Sequence, residues 1–365
     1  MAGERGTRPL ACWLAFGCLL GSGLVACAPA QVADCPHQYT AGVVWSSETS
    51  RPSWLHFTDD TGQLNGALSI DVQGMATMLD GTPLHRGDQF VLLSTGNTVK
   101  DQSHVIAVDV AACTARPTRI QEPSVFAVVD AEEGYVTTNW LNGNAELHRY
   151  RADGQHLAVA SFPQVGIWPL TRRDGLIYAF KTEEMAGDKA TLLVLNEKDL
   201  TLRTEVPLPL FGSNAEGPGN AEIVGNELFF TVLTGSGGAP DTRLWVIDLT
   251  TFEVTTLELG VGSPPNLLHA VGDTLYIGHG DVVGARQLTV LETASRQLSH
   301  HELATPIDRM DANATTLAVI SGGAGQPVSL STYRLPEVTL QQTVSLPPPQ
   351  ADSDAYYYAA NVFVP

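Results

Sequence analysis

Trp168, Glu222, His269, Asp308 and Arg309 are the side chains whose types and placement offer the most chemistry. Each falls on or beside a short apolar segment that leads one unit of a repeat, and a ring of such segments turns them toward one axis. Tyr356 to Tyr358 join them if the chain end closes that ring. One base, acids, a guanidinium and aromatic faces grip a polar ligand by charge-assisted hydrogen bonds and stacking. Convergence of His269, Glu222, Asp308 and Arg309 also suits a lyase or hydrolase, while an inert axis fills the same channel with water.

Other combinations carry less. His279 and Asp281 in Ile-Gly-His-Gly-Asp read as a solvated loop pair, because one His and one carboxylate do not by themselves define a base or a metal site. His300 and His301 lie on a strand whose alternation sends them to opposite faces. Asp352 and Asp354 lack the glycine and terminal Glu of a calcium loop. No G-x-S-x-G elbow, H-E-x-x-H helix, P-loop or dinucleotide fingerprint occurs, so neither a metal nor a cofactor is expected.

The elements that position these residues recur. Apolar runs stand at or near Val43, Phe90, Tyr135, Leu176, Leu228, Leu275 and Leu317, and their mean step of about 46 residues is a propeller period. A second apolar strand follows each run, as in SWLHFT, RLWVID and QLTVLE, and then a third, as in QLSHHEL. A shorter segment such as MATML, FAVV, AEIV or NLLHAV precedes each run from the second onward. Four short strands per unit describe one blade, so the chain reads as an all-β, seven-bladed β-propeller of four-stranded antiparallel blades. The first unit lacks its leading segment, and the orphan Asp354–Val364 supplies it, which closes the ring and removes its open edges.

The chain begins with Arg5 and Arg8, an apolar run from Leu10 to Ala26, and Cys27. The run suits an export signal better than a permanent span. Leu24-Val-Ala-Cys27 resembles the lipobox of bacterial lipoproteins. That resemblance implies a signal peptide over 1–26, acylated Cys27, a linker over 27–38 and one propeller domain over 39–365. A plain secretory signal cut near Ala30 is the alternative. With Cys12 and Cys18 lost and Cys27 lipidated, Cys35 and Cys113 remain, and an exported pair reads as a disulfide rather than two free thiols. Both fall on the same face of neighbouring blades, which turns the opposite loops away from the membrane.

Leu244–Gly260 resembles the second half of a YVTN-type propeller repeat, Tyr135–Asn139 its first half, and Asp59–Leu64 is similar to a quinoprotein-repeat turn. The resemblance implies the fold. It implies no quinone cofactor, since the adjacent cysteine pair of quinoprotein dehydrogenases is missing.

A net charge of -19, from 20 Lys+Arg against 39 Asp+Glu, repels phosphate backbones and excludes nucleic acid as a partner. The expectation is therefore an extracytoplasmic module, anchored to a membrane through Cys27, that binds or scaffolds a protein or envelope polymer on its membrane-distal loops. An enzyme or a small-ligand binder working in the channel is the alternative.

Overall fold

The computed structural model describes residues 32–47, 49–75, 84–86, 89–94, 103–120, 125, 127–141, 143–183, 186–209, 211, 217–232, 234, 238–280, 285–322, 327–349 and 356–365. Cys27, Asp281, Asp352, Asp354 and part of each expected distal loop lie outside them. No helix among the described residues is long and apolar enough to cross a membrane.

The described residues form a seven-bladed β-propeller of antiparallel sheets. From the axis outward, blade five runs Pro218–Val224, Glu227–Val232, Arg243–Asp248 and Val254–Glu258. Blades two to seven repeat that order. In blade one the inner strand comes from the chain end: Tyr358–Phe363 pairs antiparallel with Ala41–Ser46, Gly42 opposite Phe363. Blade one also has a fifth strand, Ala33–Asp34, paired to the outer strand Leu64–Ile70 and so lying within the segment expected as linker.

Burial explains why the repeat shows in sequence. A blade is covered on both faces by its neighbours, so its second and third strands are apolar without alternation, as in Glu227–Val232 and Arg243–Asp248. The outer strands have one covered face, and His156–Pro163 alternates half-buried and exposed along its whole length. Among the described residues the core consists of seven apolar clusters, each formed by two adjacent blades.

Blade two departs from the expectation. Its inner strand is Leu84–Arg86, whereas Met75, from the expected MATML segment, makes only an isolated bridge to Ser94. Residues 76 to 79 lie outside the described residues.

The disulfide is present. Cys35 and Cys113 are joined with their Cα atoms 5.3 Å apart, tying the segment after Ala33–Asp34 to the turn between the outer strands of blade two. It closes a loop of 78 residues, for which the chain-entropy account gives a stabilisation of about 2–4 kcal/mol as typically measured. Replacing both cysteines by serine should lower the thermal midpoint, and addition of a reductant should then shift it no further. An equal midpoint with and without the bridge in calorimetry would refute that expectation.

Candidate functional site

The seven inner strands run side by side around the axis, as contacts between the inner strands of blades three to seven and the closing strand show. Three consecutive ones carry a titratable side chain on the same rung. Glu222 is opposite Phe229, His269 opposite Tyr276, and Asp311 opposite Ala318, each seven residues ahead of the third residue of the following strand. The two-residue turns Gly225-Asn226 and Gly272-Asp273, with both glycines at positive φ, hold blades five and six in identical register.

Asp311 is wholly buried. Its Oδ2 accepts the Val364 N–H at 2.8 Å and lies 3.2 Å from His85 Nε2, while His269 Nε2 is 3.6 Å from Oδ1. Three remote stretches of chain, the inner strands of blades two and six and the C-terminus, thus meet on one carboxyl. No hydrogen bond reaches Asp311 Oδ1 among the described residues.

His269 has a fixed tautomer. Its Nε2 is 2.7 Å from the Ala312 carbonyl oxygen, which only accepts, so Nε2 carries the proton. Nδ1 then holds a lone pair, and it is buried without a partner among the described residues. Glu222 faces the interior of the ring, where loss of solvent and then the Asp311 charge push its carboxyl up to about 8. Burial and the same charge push Tyr39 to about 12. At neutral pH the rung therefore offers a protonated acid at Glu222, beside a His269 whose Nδ1 holds the lone pair in the neutral imidazole.

The other expected channel residues do not join this rung. Asp308 precedes the blade-seven inner strand and accepts the Gly322 N–H at 2.9 Å, and its carboxyl is raised chiefly by burial. Arg309 Nη1 donates to the Asp308 carbonyl at 2.6 Å. Half-buried Trp168 sits in the bulge between Ile167 and Leu170, with no ring contact or hydrogen bond to Glu222 or His269 among the described residues. Sequence reasoning missed Asp311 and His85. The constant seven-residue offset from the second strand is the signal that finds Asp311; nothing comparable marks His85, whose strand follows an irregular stretch.

His279 is a correction: it is buried, its Nδ1 3.0 Å from the Ser263 carbonyl and its Nε2 2.8 Å from Thr289 Oγ1. The connector before the inner strand supplies that carbonyl, which a reading of the Gly-His-Gly segment alone does not reveal. Among the described residues no three His, Cys, Asp or Glu are disposed to hold a metal ion.

No family model and no curated protein matches this sequence. Solved structures do resemble it. A Bacteroides fragilis protein assigned as a 6-phosphogluconolactonase superposes with a TM-score of 0.58 at 12% identity, over 89% of this chain and 97% of that one. The periplasmic gluconolactonase of Pseudomonas aeruginosa gives 0.58 at 13% identity, over 88% and 99%. The chain shares their fold. At such identity the likeness extends to the propeller and no further.

Proposed function

We propose that the protein is a hydrolase that opens a small lactone or ester of a polar acid in the axial channel. The observation that carries this reading is the lone-pair-bearing Nδ1 of His269, without a partner among the described residues, on the same rung as a Glu222 carboxyl held protonated. In the reaction His269 Nδ1 takes a proton from water, and the hydroxide adds to the acyl carbon. The acyl C–O bond then breaks, and Glu222 gives its proton to the departing alkoxide. The product is a hydroxy acid, and proton return from the imidazolium to the carboxylate through solvent restores the site. Asp311 stabilises the imidazolium and keeps Glu222 protonated. The two structural neighbours, whose names give lactones as substrates, support the same class.

The expectation of a binding or scaffolding module gains no observation here, and part of each of its loops lies outside the described residues. For location, we keep the lipidated Cys27 and an extracytoplasmic site of action. The Cys35–Cys113 bridge supports export to an oxidising compartment.

The reading is tested by pH-stat assay on a panel of aldonolactones and simple esters. Turnover of at least one member is expected, with kcat lowered about 100-fold in His269→Gln. A panel without turnover above the spontaneous rate, or a His269→Gln variant as fast as the parent, overturns it.

A further inference from the structure

Away from the axis, blade six carries a second set of polar groups whose protons are fixed from the inside outward. Ser263 O accepts from His279 Nδ1–H, so His279, kept neutral by burial, presents a lone pair at Nε2. The Thr289 hydroxyl, wholly buried, donates its one proton to that lone pair at 2.8 Å. Thr289 Oγ1 must then accept at its other contact, the 3.0 Å approach of His300 Nδ1. His300 therefore carries a proton on Nδ1, and in the neutral imidazole its lone pair stands on Nε2.

His300 borders an open cavity of about 500 Å³ that Arg286, Gln287, His301 and Glu302 also line. His301 leaves the strand on the opposite side, its Nε2 3.2 Å from Ser299 Oγ, as alternation requires, and still reaches the cavity because Gln297–Glu302 is an edge strand. Among the described residues no hydrogen bond or ion pair engages the Arg286 guanidinium or His300 Nε2. A cation and an oriented acceptor thus stand unused at one opening.

We propose that this rim cavity of blade six is a second binding site, which takes a small hydroxycarboxylate: the carboxylate on Arg286 and a hydroxyl donating to His300 Nε2. Arg286 suits the planar, two-oxygen geometry of a carboxylate. Glu302 on the same wall opposes a dianion and favours a monoanion. The Ser263–His279–Thr289 chain acts as a positioning device, holding the His300 tautomer that a hydroxyl donor needs. The assignment does not depend on chemistry in the channel.

The test is calorimetric titration of the full-length protein in detergent with sodium D-gluconate, against acetate, which lacks the hydroxyls, and D-glucose, which lacks the carboxylate. Saturable binding of gluconate alone is expected, weakened at least tenfold by Arg286→Gln and by His300→Ala, both surface changes that leave the fold intact. Thr289→Ser should retain binding, and Thr289→Val should lose it while the protein stays folded by circular dichroism. Binding should persist in Glu222→Gln, which separates the rim from the channel: loss of lactone hydrolysis leaves this site standing. Absence of saturable binding, or binding that Arg286→Gln and His300→Ala leave unchanged, overturns the proposal.

Discussion

A chain that ends at residue 349 is expected to lose the cooperative unfolding transition altogether. The missing segment includes Tyr358–Phe363, the inner strand of blade one, and its side chains serve two blade interfaces at once. Phe363 packs with Phe57, Phe90 and Tyr39 between blades one and two, while Tyr357, Val362 and Val364 belong to the cluster between blades seven and one. Gly42 marks how close the approach is, because a Cβ there would stand 1.9 Å from the Phe363 ring. Polar ties are lost too: Tyr357 Oη donates to the Pro52 carbonyl, Val364 N–H to Asp311, and Asn313 Nδ2 to the Pro365 carbonyl.

Removing one buried aromatic costs about 3–5 kcal/mol, and total stability is about 5–15 kcal/mol. The truncation removes several such groups and leaves Ala41–Ser46 as an unpaired apolar edge, so aggregation accompanies unfolding. Phe363→Ala is the graded version, with a loss of about 3–5 kcal/mol. Calorimetry and size-exclusion chromatography check both. A truncated chain that melts in one transition near the parent's midpoint would show that the ring closes without its last strand.

What the sequence revealed follows from which surfaces are covered. Second and third strands such as Glu227–Val232 and Arg243–Asp248 are buried on both faces, so the period stood out. The disulfide was legible because few cysteines were left to pair, and strand order then put both at one end of adjacent blades. The inner strands were harder: they are short, face solvent in part, and their side chains depend on register, which a shift of one residue inverts. Glu222 and His269 were legible because each lies in a short segment that leads its repeat unit, AEIV and NLLHAV. Asp311 was hidden in Arg309-Met-Asp-Ala312, where Asp308 and Arg309 looked equally placed until pairing with Ala318 set the rung. His85 follows the irregular stretch after Met75, and no pattern in sequence aligns it with the axis.

The second large effect concerns Glu222. With the carboxyl pushed up to about 8 by burial and by Asp311, the acid is in its proton-donating form at neutral pH and gives it up as pH rises through about 8. Turnover should therefore fall on the alkaline side with an apparent pKa near that value. Glu222→Gln cannot supply the proton, so it should lower kcat by about 10²–10⁴ and remove the alkaline fall. Stability moves the same way with pH. The folded carboxyl holds its proton above the ordinary value of 4.5 while the unfolded one does not. Between 4.5 and about 8 the folded state thus binds more protons, and its stability declines as pH rises through that window. Glu222→Gln cancels the decline, which makes the variant more stable than the parent at pH 9 and nearly equal to it at pH 4. Asp311→Asn separates the two causes: with the charge gone, burial alone acts on Glu222, and the alkaline limb shifts to lower pH. A parent enzyme whose rate is flat from pH 6 to 10, or a Glu222→Gln variant that keeps both rate and limb, would take the acid's role away from Glu222 and leave His269 as the rung's sole participant.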